Sequence, residues 1–253
     1  MVSEEVFPTD PAMVVDVDNP STWPSTLGEH AQMLADQLLG STEYTNDLDV
    51  PLDDEDDFRA LLTGWLVRAF HATRLLDHEV RMIRAQGLRS LSKELVKERI
   101  DAAFDHSCIS EDDRDQLHAS HVYATGEEKG RGGETSLFFP ERYLTDRAPG
   151  FEKLLTWWGG EAFSKSKRAA TLPNRVRCLG KPSIVVASID LSAGQQTHAV
   201  YPLLSKVFVG RLLELTDARA NVHFRTAIPP HDITAVWRPG DAEYDRFGDL
   251  PTS

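Results

Sequence analysis

Residues 65–92 read WLVRAFHATRLLDHEVRMIRAQGLRSLS, and this stretch sets the frame for the rest of the chain. Leu66, Ala69 and Phe70 give a buried strand bounded by Gly64. A sharp polar exit carrying His71 and Thr73 follows. Asp77 suits a helix N-cap, and Glu79 lies in the first turn, where the helix dipole favours negative charge. Leu76, Val80 and Ile83 share one helical face. Gly87 fits the left-handed position after the helix, with Leu88 folding back on Ile83 in a Schellman stop. The local pattern therefore predicts a strand, a polar exit, a capped helix and a Gly-Leu stop.

The triplet His71-Ala72-Thr73, followed by Ile83 and Gly87-Leu88, resembles the H-x-T…I…G-L signature of the ADP-ribosyltransferase superfamily. That group includes poly-ADP-ribose polymerases, tRNA 2′-phosphotransferases and bacterial toxins that modify DNA or protein. The resemblance implies an α+β fold with split antiparallel sheets and flanking helices. It also implies NAD as the bound nucleotide, with His71, Ala72 and Thr73 holding its nicotinamide-side ribose and amide and Leu88 packing beneath them.

The chain has 253 residues, enough for one large domain with an extension and for a core that needs no staple. Its two cysteines, Cys108 and Cys178, form no ligand pair or redox motif, and a reducing, cytoplasmic setting is the natural expectation. The first residues after Met1 are acidic and polar, unlike a signal peptide. No apolar run approaches the ~20 residues of a membrane helix, so no membrane partner is expected. A net charge of −13 repels a phosphate backbone at long range and argues against a broad nucleic-acid footprint. The basic residues Arg81, Arg84 and Arg89, with a second group from Lys165 to Arg177, suit either solvated faces or local contact with phosphates.

Three regions are expected: an N-terminal arm and helical extension over 1–58, the main domain over 59–245 and a tail over 246–253. Residues 1 to about 25 read as an extended arm, and 27–39 as a helix stopped by Gly40. The acidic cluster at 53–57 reads as a solvated helix start. Ser92 opens a helix through Phe104, and Ser110 opens another towards Leu117. His106, His118 and His121 fall close in sequence, but without zinc-finger spacing or cysteines. The glycine-rich segment 126–134 reads as a mobile loop without the context of a phosphate loop.

Thr135–Phe139 reads as a short strand, and in the resemblance it is the second core strand. Phe138 there, with Tyr143 beyond it, would wall the nicotinamide, although an aromatic strand residue such as Phe138 more often serves as plain core. A helix over 151–163 is interrupted by Gly159-Gly160, each costing on the order of 1 kcal/mol in a helix. Either close backbone approach or a turn that projects Glu161 into a cleft would compensate. WWGGEA, residues 157–162, also resembles an element of uncharacterised bacterial proteins that share the opening motif, which makes Glu161 a candidate site residue.

Residues 182–191 form the strongest strand signal, 201–215 lean to helix, and 221–225 and 233–237 read as strands around Ile228-Pro229-Pro230. Strand, Pro-Pro corner and strand resemble the closing hairpin of several ADP-ribosyltransferases. Many of those carry a catalytic Glu before the corner, where it binds the ribose 2′-hydroxyl and stabilises an oxocarbenium-like transition state. Asn221 occupies the matching place. It can hydrogen-bond a hydroxyl but supplies no negative charge. Glu161 or Glu214 would then substitute, the correspondence would be slipped, or the domain would bind without transfer.

Three functional expectations follow. One is an NAD-dependent ADP-ribosyltransferase of toxin or anti-phage character, acting on a protein or nucleic-acid acceptor and paired with an antitoxin or immunity partner. Another is a nucleotide-binding or interaction domain that has lost transfer. The third is a mixed α+β domain in which the H-x-T triplet is coincidental.

Overall fold

The computed structural model describes residues 13–40, 55–128, 132–144, 151–192, 200–215 and 218–252. Among them the architecture is mixed α and β. The strands are β1 (Val14–Val15), β2 (Leu66–Leu75), β3 (Thr135–Phe139), β4 (Lys181–Asp190), β5 (Ala220–Phe224) and β6 (Ile233–Trp237). The helices are α1 (Ser25–Gly40), α2 (Glu55–Leu62), α3 (Asp77–Gln86), α4 (Lys93–Asp105), α5 (Glu111–Ser120), α6 (Val122–Thr125), α7 (Phe151–Thr156), α8 (Glu161–Ser164), α9 (Asn174–Arg177), α10 (Val200–Leu212) and α11 (Ala242–Asp245).

The strands join in one sheet in the order β5-β3-β2-β4-β6, and β1 also pairs with β2. The strands therefore form one sheet where a split pair was expected. β1 runs parallel to β2, with Val14 opposite Leu66 and Val15 opposite Val67. The start of the chain, expected as a loose arm, thus contributes a strand from residue 14 because two valines find an open ladder beside β2. β5 and β6 stand at opposite ends of the strand order, so they do not form the expected hairpin. β4 lies between β2 and β6 and is buried from Pro182 to Ile189, Ser183 and Ser188 included, which fits its largely β-branched and apolar sequence.

The chain divides into two compact units. The first comprises Met1–Phe70, Ser136–Tyr143 and Ala187–Phe224. In it, Leu34, Ala35 and Leu38 of α1 pack with Val209 of α10. Trp23 meets Phe208 edge-on at 4.9 Å, and Phe58 of α2 reaches the same ring at 5.8 Å. The helical spacing of Leu27, Ala31, Leu34 and Leu38 is what turns this face of α1 inward.

The second unit comprises His71–Thr135, Leu144–Val186 and Arg225–Ser253. Its core gathers Val96 and Ile100 of α4, Leu117 of α5, and Trp158, Phe163 and Val176. α4 and α5 start as their sequences predict. The Ser92 hydroxyl accepts from Leu95 N–H, and Ser110 closes a capping box with Asp113. The residues expected as a tail are also tied down. Phe247 and Leu250 are buried, and the Tyr244 hydroxyl donates to Pro251 O at 2.6 Å. Of the glycine-rich segment 126–134, residues 129–131 lie outside the described residues, as do 1–12 of the arm and 53–54 of the acidic cluster.

Candidate functional site

β2 does not end at Phe70. It runs on through His71, Ala72 and Thr73 to Leu75, so the expected sharp exit lies at Leu76 instead. Two arginines of the second unit hold this extension. Arg74 is 2% exposed and donates to four backbone carbonyls: Leu179 at 3.1 Å, Leu155 at 3.0 Å, Cys178 at 2.7 Å and Gly180 at 2.7 Å. Arg238 donates to Leu75 O at 2.9 Å and to the Asp77 carboxylate at 2.6 Å. Its hydrogen bond and its charge hold Asp77 below the usual carboxylate range.

Within the triplet, Ala72 is 1% and Thr73 6% exposed, whereas His71 is only half-buried. His71 is therefore the most accessible side chain of the three. Alternation along β2 sends Arg68 and Phe70 to one face and His71 and Thr73 to the other. Phe138 lies directly opposite Phe70 in register.

The start of α3 also differs from expectation. Leu76 is the N-cap, and Glu79 at the third helical position folds back to accept Leu76 N–H at 2.7 Å. Asp77 is displaced into the helix because Arg238 takes its carboxylate. Glu79 is itself a buried node, accepting from Arg99 Nε at 2.6 Å and from Trp158 Nε1 at 3.1 Å. Burial pushes its carboxyl up, but Arg99 and these hydrogen bonds outweigh that and hold it below the ordinary value of 4.5. Glu79→Gln is expected to cost about 2–4 kcal/mol by leaving Arg99 without its buried partner. The depressed carboxyl stabilises the fold fully above pH 4.5 and loses that contribution as pH falls through its folded value. The variant should therefore show a flatter acid limb in a plot of stability against pH, measured by urea unfolding.

Gly87 has φ 84° and ψ −176°, and its N–H returns to Ile83 O at 2.8 Å. The positive φ fits the expected glycine, but the extended ψ carries the chain away from a Schellman turn. Leu88 turns to the Pro-Pro corner instead: its N–H donates to Ile228 O at 2.8 Å and its carbonyl accepts from Ile228 N–H at 2.9 Å. A partner outside the helix thus takes the bond that a Schellman stop would have made internally. The Gly-Leu stop and the corner are joined directly within the second unit.

The remaining candidates fall elsewhere. Gly159 and Gly160 have φ 77° and 53°, and this double turn separates α7 from α8 so that Glu161 opens α8. Trp158 anchors the turn in the core through Glu79. Glu161 lines a cleft of about 550 Å³ with Leu91, Val122, Tyr123, Glu127, Glu128, Lys165 and Lys167, and stands 3.8 Å from the Lys165 ammonium. No residue of the His71–Thr73 triplet lines that cleft. Glu214 is exposed at φ 55° in the turn after α10.

In the first unit, Phe138 and Tyr143 meet at 5.0 Å, and the Arg219 guanidinium lies 5.6 Å above the Tyr143 ring. Phe138 is 3% exposed, so Tyr143 and Arg219 present the reachable surface. Asn221 is exposed on β5. Two residues on, His223 Nδ1 lies 3.0 Å from Ser136 Oγ, a pair that sequence reasoning missed. The alternation in NVHFR, which sets Asn221 and His223 on one face, was the available signal.

The three clustered histidines separate. His118 pairs with Asp101 at 2.9 Å, His121 caps α6 through Ala124 N–H, and His106 stacks on His78. No group of three or more metal-ligating side chains occurs among the described residues. No helix among them is long and apolar enough to cross a membrane. Comparison with protein-family models, curated proteins and solved structures gives no match to this chain.

Proposed function

We propose that the chain is an NAD-dependent ADP-ribosyltransferase acting on a protein or nucleic-acid acceptor, with the character of a toxin or anti-phage effector. The observation that carries this reading is the reciprocal pairing of Leu88 with Ile228. It unites the Gly-Leu half of the motif with the Pro-Pro corner in the unit that also holds His71. His71, partly open on β2, would bind and orient the nicotinamide-side ribose, with Thr73 fixing the strand behind it. NAD would supply the ADP-ribosyl group, with nicotinamide as the leaving group. Glu161 remains the carboxylate candidate from the resemblance, opening α8 after the double-glycine turn on a cleft that the His71–Thr73 triplet does not line.

A second reading, nucleotide binding without transfer, is favoured by Asn221. This neutral amide at the position matching the family's catalytic acid cannot balance a developing cation.

Binding of labelled NAD, followed together with nicotinamide release, separates the two. The wild type is expected to bind saturably and to release nicotinamide, and His71→Ala to weaken binding by about tenfold or more, ~1.4 kcal/mol. Saturable binding without release selects the second reading. Absence of both, or binding indifferent to His71→Ala, overturns the nucleotide assignment.

A further inference from the structure

His78 lies on α3, is 7% exposed, and stacks on His106, the residue that caps the end of α4. The ring centroids are 4.2 Å apart and the planes 24° from parallel. His78 Nε2 is shielded from solvent and has no hydrogen-bond partner. The charged and titratable groups facing it are Glu79 and Arg81 on its own helix and Arg99 and His106 on α4. Glu79 is the one acid among them, and its oxygens are already taken by Arg99, Leu76 N–H and Trp158. A proton on His78 would add a buried positive charge beside two guanidiniums and a second imidazole, with no acceptor for the new N–H.

We propose that the His78–His106 stack is a proton-operated latch, holding α3 on α4 while His78 is neutral and releasing α3 when His78 is protonated. The proposal does not depend on the NAD reading, but it bears on the same segment. α3 lies between the strand that carries His71 and the Gly87-Leu88 stop, so its release loosens both ends. Burial first, then His106, Arg81 and Arg99, hold His78 below the ordinary histidine value of 6.5, and Glu79 alone opposes them. The closed state therefore binds the proton less readily than the open one. Opening takes one up, so the latch is fully closed above pH 6.5 and weakens as pH falls below it.

Amide hydrogen exchange of Val80–Gln86, corrected for intrinsic rates, reads this directly between about pH 7.5 and about pH 5, the range where histidine changes charge. In the wild type the opening constant is expected to rise with falling pH, approaching tenfold per pH unit, the limit for one proton taken up. His78→Phe keeps an aromatic ring in the stack and removes the titration, so its profile should be flat. A flat wild-type profile, or an unchanged slope in His78→Phe, overturns the latch. Imidazole titration of the wild type by NMR is a second test that needs no variant. A His78 transition at or above the ordinary histidine value overturns the proposal, and one below it supports it.

Discussion

Arg74→Met is expected to lower the stability of the chain by about 3–5 kcal/mol, read as a shift of the urea midpoint at unchanged slope. The guanidinium is fully buried, and its hydrogen-bond partners are carbonyl oxygens rather than a carboxylate. Burial pulls its pKa down, with Cys178 and Tyr244 opposing, so the site tolerates the charge because four oxygens converge on it. Methionine fills much of the volume but strips four acceptors at once, and each buried acceptor left unpaired costs about 1–3 kcal/mol. The upper end of a simple sum is not reached, because the loop at 178–180 can relax towards water. Arg74→Lys should recover only part of the loss, since an ammonium has three donors and lacks the planar fork that spans Leu155 and residues 178–180. A loss below about 1 kcal/mol would show that the carbonyls find other donors and that Arg74 is not the clasp of this region.

Gly87→Ala is expected to cost about 3 kcal/mol or more, and Gly64→Ala about 1 kcal/mol, although the two glycines have nearly the same φ. Their values are 84° and 81°. A Cβ at Gly64 meets nothing within 4 Å, so its cost is that of the backbone conformation alone. At Gly87 the added carbon would run into the Ile228 carbonyl oxygen and lie 2.9 Å from the Pro229 carbonyl carbon. Relief requires breaking the reciprocal Leu88–Ile228 pair, which adds two hydrogen bonds to the loss. Equal destabilisation of the two variants, measured by the same urea unfolding, would mean that the corner yields freely and that the close approach does not constrain it.

Those two contrasts also mark how far the sequence could be read. The start of the strand at 66–70, the helix at 77–86, the serine caps of α4 and α5, the break at Gly159-Gly160 and the strand signal of β4 all follow from local pattern, because each is decided by neighbours a few residues away. The failures share another origin. Val14-Val15 became a strand only because β2 offered it a ladder. The N-cap moved to Leu76 because Arg238, far along the chain, claimed Asp77. Leu88 abandoned a local stop for Ile228. Nothing in the sequence around Arg74 announces the four distant carbonyls that receive it. Of the site candidates, His71 was expected in a polar exit and lies instead within β2, and the sequence could not tell that Ala72 and Thr73 are both buried, nor that Ser136 and His223 would meet.

Arg238 reaches Leu75 across 163 residues of chain, and that span has a consequence in time. A ribosome adding roughly 5–20 residues per second needs on the order of 10–30 s between making one end of this contact and the other. Throughout that interval the newly made His71 strand lacks both Arg238 and Ile228, the groups that fix where it ends and where the following helix stops. The end of this strand is therefore fixed only after Ile228 and Arg238 have been made. Nascent fragments that stop before Ile228 carry the motif without the geometry.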